Sequence, residues 1–199
     1  MSLAKKSALA VVAAYQNKPF EGRAILTAIP QGFGFFTMAQ PGHFHLDLRG
    51  TRDFSDLKTD ALVVTKAYLD GEAHAGFVDR VEQIYPEVLR VYNQLPLDAD
   101  ITISGHSEGA ALALLLAALI KPTRLILFAC PKTVDVTLRD AILHMGFAIE
   151  HYAGRYDLIP DFPVGLHQVL EPERLYFPNV YKADELGQHS IEHIAEALS

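Results

Sequence analysis

From Asp100 to Ile120 the chain reads Asp-Ile-Thr-Ile-Ser-Gly-His-Ser-Glu-Gly and then Ala-Ala-Leu-Ala-Leu-Leu-Leu-Ala-Ala-Leu-Ile. Few backbones satisfy both halves. Ile101–Ser104 is short, apolar and β-branched, as a buried strand is. Ala110–Ile120 is made of strong helix formers and is apolar nearly all round, which predicts a helix buried on most sides. Between them stands Gly105-His106-Ser107-Glu108-Gly109, a G-x-S-x-G with a strand before it and a helix after it. So sharp a turn forces the serine into a strained backbone, and the two glycines omit the Cβ atoms that would collide there. Ser107 Oγ is then lifted clear of the sheet edge beside a helix N-terminus, where negative charge is favoured. The competing reading is a glycine-rich turn whose serine merely caps the helix.

The rest of the chain supplies strands and helices around this centre. Leu3, Leu9, Ala10, Val12 and Ala14 suit a helix face. Lys5-Lys6 before Ser7–Ala14 has the outline of a signal peptide, but the apolar stretch is short, runs on into Tyr15-Gln16-Asn17 and lacks an Ala-x-Ala. A structural first helix is therefore expected, then a loop over Lys18–Gly22. Gly34–Met38 and His43–Leu48 read as strands joined at Gln40-Pro41-Gly42. In the second, Phe44, Leu46 and Leu48 alternate with His43, His45 and Asp47, which predicts one buried and one polar face. His43 and His45 share a strand face, but no third metal ligand stands at a recognisable spacing, so they are read as surface histidines.

Ala61–Val64 and Ala67–Leu69 fit either a strand or a helix. Val78–Leu95 carries apolar residues at helical spacing, with Pro86 inside it to kink or divide the helix. Arg124–Phe128 reads as a buried strand, Val136–Met145 as a helix stopped by Gly146, and Ala148–Tyr152 as a strand delivering Tyr156-Asp157-Leu158-Ile159-Pro160 to the sheet edge. Gln168–Leu170 and Arg174–Phe177 read as a hairpin or extended pair, and a last helix runs through Leu198. Strands alternating with helices indicate an α/β sandwich around a mainly parallel sheet.

With 199 residues the expectation is one domain, 1–199. A net charge of −7 without a basic stripe argues against nucleic acid. No apolar run approaches the roughly twenty residues that span a bilayer. Cys130 is the only cysteine, so no internal disulfide forms. With no convincing leader this points to the cytoplasm, while leaving secretion open.

A serine hydroxyl needs a base within hydrogen-bond reach and an acid to orient that base. Elbow-type hydrolases place them in the order Ser, Asp or Glu, His. Ser107, Asp157 and His189 fit that order. His167 and His193 also lie downstream among the nine histidines, so spacing alone leaves the base open.

Six segments together resemble the class 3 (fungal-type) lipases. Arg49-Gly50-Thr51 with Asp56-Leu57 and Thr59-Asp60 is similar to that family's Arg-Gly-Thr…Asp-Trp-x-x-Asp, and His74-Ala75-Gly76-Phe77 to its His-x-Gly-Phe. Gly105–Gly109 stands where the family has Gly-His-Ser-Leu-Gly, and Phe128–Lys132 where it has Phe-Gly-x-Pro-Arg. Tyr156–Pro160 resembles the segment of the acidic member, and His189-Ser190-Ile191 the terminal histidine segment. The resemblance implies an α/β-hydrolase fold, a mainly parallel central sheet with helices on both faces. It implies Ser107 as nucleophile, His189 as base, Asp157 as orienting acid, and the N–H groups of Thr51 and Glu108 as oxyanion donors. His193 is the fallback base.

Three departures stand out. Glu108 replaces the usual leucine, and its carboxylate has two fates: outward to solvent at the helix start, which the sequence favours, or into the cleft. Lys132 is not followed by the usual Val-Gly-Asn. The segment after Thr51, where the family carries an amphipathic lid, is short and charged. Phe54 and Leu57 are its only large apolar side chains, worth about 3–6 kcal/mol between them when buried, so a reduced lid is expected. The sequence thus predicts a serine hydrolase of carboxylic esters, lipase or esterase, working without metal or cofactor on a small-molecule or lipid ester, in transient contact with lipid surfaces at most. The alternative is a catalytically idle hydrolase-fold binding or scaffold protein.

Overall fold

The computed structural model describes residues 1–18, 20, 24–51 and 64–199. Helix α1 (Leu3–Tyr15) starts where Ser2 Oγ accepts the Lys5 N–H, as the first-helix reading requires. Most of the loop expected over Lys18–Gly22, and the whole post-Thr51 lid segment through residue 63, lie outside the described residues. Strand β1 (Ala24–Ile29) was not singled out by the sequence; β2 (Gly34–Gln40) and β3 (His43–Leu48) were. The three form an antiparallel meander. A two-stranded hairpin, β4 (Thr65–Tyr68) and β5 (Gly71–His74), resolves the strand-or-helix ambiguity for the residues it covers.

Helix α2 (Ala75–Tyr92) passes through Pro86 as one helix, neither divided nor ended there. Its buried stripe of Val78, Val81, Ile84, Val88 and Val91 packs into the core on both sides of the proline, and that packing outweighs the lost hydrogen bond. Then come β6 (Asp100–His106), α3 (Glu108–Ile120), β7 (Arg124–Phe128), α4 (Val136–Leu143), β8 (Ala148–Gly154) and β9 (Glu173–Leu175). Instead of the expected hairpin, β9 pairs parallel with β8, and Gln168–Leu170 forms no strand. The expected last helix is α6 (Ile191–Ala197), and a short α5 (Glu185–Gln188) precedes it with His189-Ser190 between them.

The main sheet has the order β1-β2-β3-β6-β7-β8-β9, parallel from β3 onward. One face, with Leu46, Leu48, Ile103, Leu125 and Leu127, packs against α2 and α3. The other, with Ile126 and Phe128, packs against Ala4, Ala8 and Val11 of α1 and Ile191, Ile194 and Ala195 of α6. Helix α3 is enclosed all round: Leu112, Leu114, Leu115 and Leu116 are fully buried.

The polar face predicted for β3 is also buried. His45 and Asp47 lie under helix α1, and Asp47 Oδ1 accepts the Ser104 hydroxyl at 2.8 Å. Surface histidines were expected there. His43 fits, half-exposed and bonded to Asp100 at 2.9 Å, but His45 does not. The alternation is real; what covers its polar side comes from a helix remote in sequence.

Candidate active site

Parallel pairing of β3 with β6 puts Leu48 beside Gly105, so the chain leaves both strands at the same edge. Arg49-Gly50 then lies directly against His106-Ser107. A Cβ on Gly50 would stand 2.8 Å from the His106 carbonyl oxygen and 2.9 Å from Ser107 Cβ, closer than side chains tolerate. Gly105 and Gly109 are equally confined: a Cβ on the first would meet the Gly109 backbone, and one on the second the Arg49 carbonyl. Three segments therefore meet with no space for a side chain between them.

Ser107 takes φ 57° and ψ −127°, a backbone costing about 1–3 kcal/mol for a residue with a Cβ. It holds the N-cap position of α3, yet its hydroxyl makes no capping hydrogen bond, so the cap reading fails to account for it. Its N–H is spent on the Phe128 carbonyl of β7 at 2.9 Å. Glu108 begins α3, where backbone N–H groups have no acceptor inside the helix.

Asp157 follows β8. Its Oδ1 accepts the Ile159 N–H at 2.9 Å, and Arg174 donates to its carbonyl oxygen while binding Asp161 at 3.1 Å. That leaves Oδ2 to receive His189 Nδ1–H at 2.8 Å, with the two side chains only 1% and 7% exposed. His189 sits in the break between α5 and α6. Its carbonyl accepts His106 Nε2–H at 2.7 Å, and the two rings lie 4.7 Å apart. The histidine thereby abuts the residue before Ser107.

The other histidines are placed differently. His193 spends Nδ1–H on the Gly187 carbonyl at 2.8 Å and leans on Phe177. His167 is exposed, its backbone bridged to Val134. Among the described residues no three His, Cys, Asp or Glu side chains gather as a metal site requires. Thr51 directly follows the confined Gly50.

Three contacts here had no sequence signal. Tyr15, from the end of α1, accepts the Gly50 N–H at 2.9 Å and bonds His106 Nδ1 at 2.9 Å. Arg80 of α2 stands 3.6 Å from Glu108, whose side chain is 11% exposed; the carboxylate is held sideways against α2, and the favoured outward placement is not the one adopted. Arg174 pins the acidic loop. Burial pushes the His106 imidazole well below its usual range, and the nearby His189 adds to this. Burial likewise raises the Tyr15 phenol above its usual range.

A sequence profile of the class 3 lipases matches residues 45–167. No curated protein matches the sequence. Among solved structures, the lipase from Rhizopus microsporus var. chinensis superposes with a TM-score of 0.69 at 18% identity, covering 81% of this chain and 68% of its own. The Rhizomucor miehei lipase in its propeptide complex gives 0.71 at 17% identity, with 89% and 68% covered. The Lip2 lipase of Yarrowia lipolytica gives 0.68 at 17%, with 87% and 76% covered. At these identities the superpositions carry the mainly parallel α/β-hydrolase fold.

Proposed function

Since this chain belongs to the class 3 lipase family and is thereby a carboxylic ester hydrolase, we propose that it works through an acyl-enzyme on Ser107, with His189 as base and Asp157 as orienting acid. The observation that carries this reading is the buried His189–Asp157 hydrogen bond, 2.8 Å long, on a histidine whose main chain is tied to the residue preceding Ser107. Asp157 accepts from Nδ1–H and so leaves Nε2 as the basic nitrogen. His193 spends its Nδ1–H on the Gly187 main-chain carbonyl instead of a carboxylate.

In this mechanism Ser107 Oγ attacks the ester carbonyl and its proton passes to His189 Nε2. The oxyanion rests on the N–H groups of Glu108 and Thr51, the first also at the positive end of α3. His189 then gives the proton to the departing alcohol. A water molecule, deprotonated by the same nitrogen, cleaves the acyl-enzyme and regenerates the serine. No step draws on a metal or cofactor.

The substrates are lipid esters, as family membership implies. A fluorophosphonate probe should label the wild-type protein once, at Ser107. Ser107→Ala and His189→Ala should each lower ester turnover by roughly 10⁴–10⁶-fold while leaving the fold intact. Labelling elsewhere, or loss of activity on His193→Ala with His189→Ala near normal, would sink the assignment. A p-nitrophenyl ester panel from acetate to palmitate then sorts esterase from lipase preference.

A further inference from the structure

We propose that Tyr15 is a positioning residue for the oxyanion loop: its hydroxyl fixes the Gly50 peptide against Ser107 and couples that peptide, through the His106 ring, to the main chain of His189. This rests on the serine mechanism above.

The direction of every hydrogen bond in this chain is forced. The His189 carbonyl can only accept, so His106 Nε2 carries the hydrogen across their 2.7 Å contact. The ring is neutral in its buried site, and Nδ1 is then bare. It must accept from Tyr15 O–H at 2.9 Å, which leaves the phenol oxygen to accept the Gly50 N–H at 2.9 Å. Gly50 N–H, Tyr15 O–H and His106 N–H all point one way along a relay, each bond polarising the next. The Tyr15 and His106 rings meet edge to face, 5.7 Å apart, which fixes the phenol's angle.

Gly50 is held at both ends. Its N–H goes to Tyr15, and its carbonyl accepts Arg49 Nη1–H at 2.7 Å. The Gly50 C=O and the Thr51 N–H share one planar trans peptide and point opposite ways. The Arg49 bond therefore aims the Thr51 N–H, the proposed donor, while the Tyr15 bond holds the preceding Arg49–Gly50 peptide from which it is hung. Hydrogen bonds to an oxyanion work only within about 2.7–3.1 Å, and small displacements of such groups are costly. Tyr15 is well mounted for this task. It ends α1, which packs against α6, the helix that begins just after His189. One rigid body thereby registers the oxyanion loop against both the elbow and the histidine.

Tyr15→Phe in the full chain removes a single oxygen and keeps the ring. On p-nitrophenyl butyrate we expect kcat to fall by about ten- to a hundredfold, less than the 10²–10³ for losing an oxyanion donor itself, with KM nearly unchanged. Binding of an alkyl boronic acid, which mimics the tetrahedral intermediate on Ser107, should weaken by the same factor. Val11→Ala, a buried cavity on the same helix, should lower the melting temperature and leave kcat alone. Should Tyr15→Phe fail to fold, His106→Gln, which removes the acceptor of the Tyr15 proton, is read the same way. A kcat within twofold of wild type, or a loss that Val11→Ala reproduces at equal stability, overturns the proposal. Absence of fluorophosphonate labelling in wild-type protein would overturn the serine mechanism, and this proposal with it. Labelling with an unaffected Tyr15→Phe overturns only this one.

Discussion

Glu108 stands one residue past the proposed nucleophile, and its carboxylate faces the Arg80 guanidinium. Alone, a carboxylate this near the site would favour the imidazolium form of the base and oppose the oxyanion; the arginine offsets both effects. Neutralising either one changes the charge beside the site, with opposite signs. Arg80→Met should move the acid limb of the pH–rate profile to higher pH, Glu108→Leu should move it to lower pH, and the double variant should return close to wild type. Shifts of the same sign in both single variants would show that the pair does not act through charge. Ser107 and its glycines were legible because the turn's geometry dictates residue types at fixed spacing. Arg80 and Tyr15 were not, because an arginine on an amphipathic helix and a tyrosine ending an alanine-rich one fit their helices equally well without a role at the site.

Among the elements, those with strong periodicity or continuous apolar runs were readable: β6, α3, β7, β8 and α2 stand close to where the pattern put them. Those that depend on partners were not. Strand β9 has three residues and owes its existence to β8, and the polar side of β3 is buried only because α1 lies on it. Helix α3 shows the reverse situation, a sequence with no polar face and a position that needs none. Its leucines are closed in on all sides, so a truncation there leaves a cavity that neighbouring elements must collapse to fill. Leu115→Ala should cost about 2–5 kcal/mol in urea unfolding, with an unchanged denaturant slope. A cost below about 1 kcal/mol would mean that the helix is less tightly enclosed than its burial indicates.

At the scale of the molecule, the imidazoles of His151 and His106 are held neutral in the interior. His151 accepts the Cys130 N–H at 3.2 Å and donates to the Leu170 carbonyl at 2.7 Å; burial lowers its pKa from 6.5 to about 4. His106 is depressed in the same direction, mainly by burial. The unfolded chain takes up protons on both below about pH 6.5, while the folded chain does not. Stability is therefore full above that pH and declines as pH falls, for His151 down to its folded value near 4. Between pH 7 and 5, His151 alone should remove roughly 2 kcal/mol from the unfolding free energy. A flat urea midpoint over that range would contradict it.

The same sheet also sets an order of assembly. Meander partners are neighbours in sequence, with β2 and β3 joined through Pro41-Gly42. By contrast, His43 of β3 meets Asp100 of β6 across 57 residues. Closing so long a loop comes after local pairing in time, because its entropy is lost before its contacts form. The meander and the β6–β7–β8 unit should therefore gain amide protection before the β3–β6 seam does. Gly50 and Ser107 belong to opposite sides of that seam. In a refolding time course, the ability to react with a fluorophosphonate should then return only with the last structural phase, so that the nascent protein has its strands before it has its chemistry.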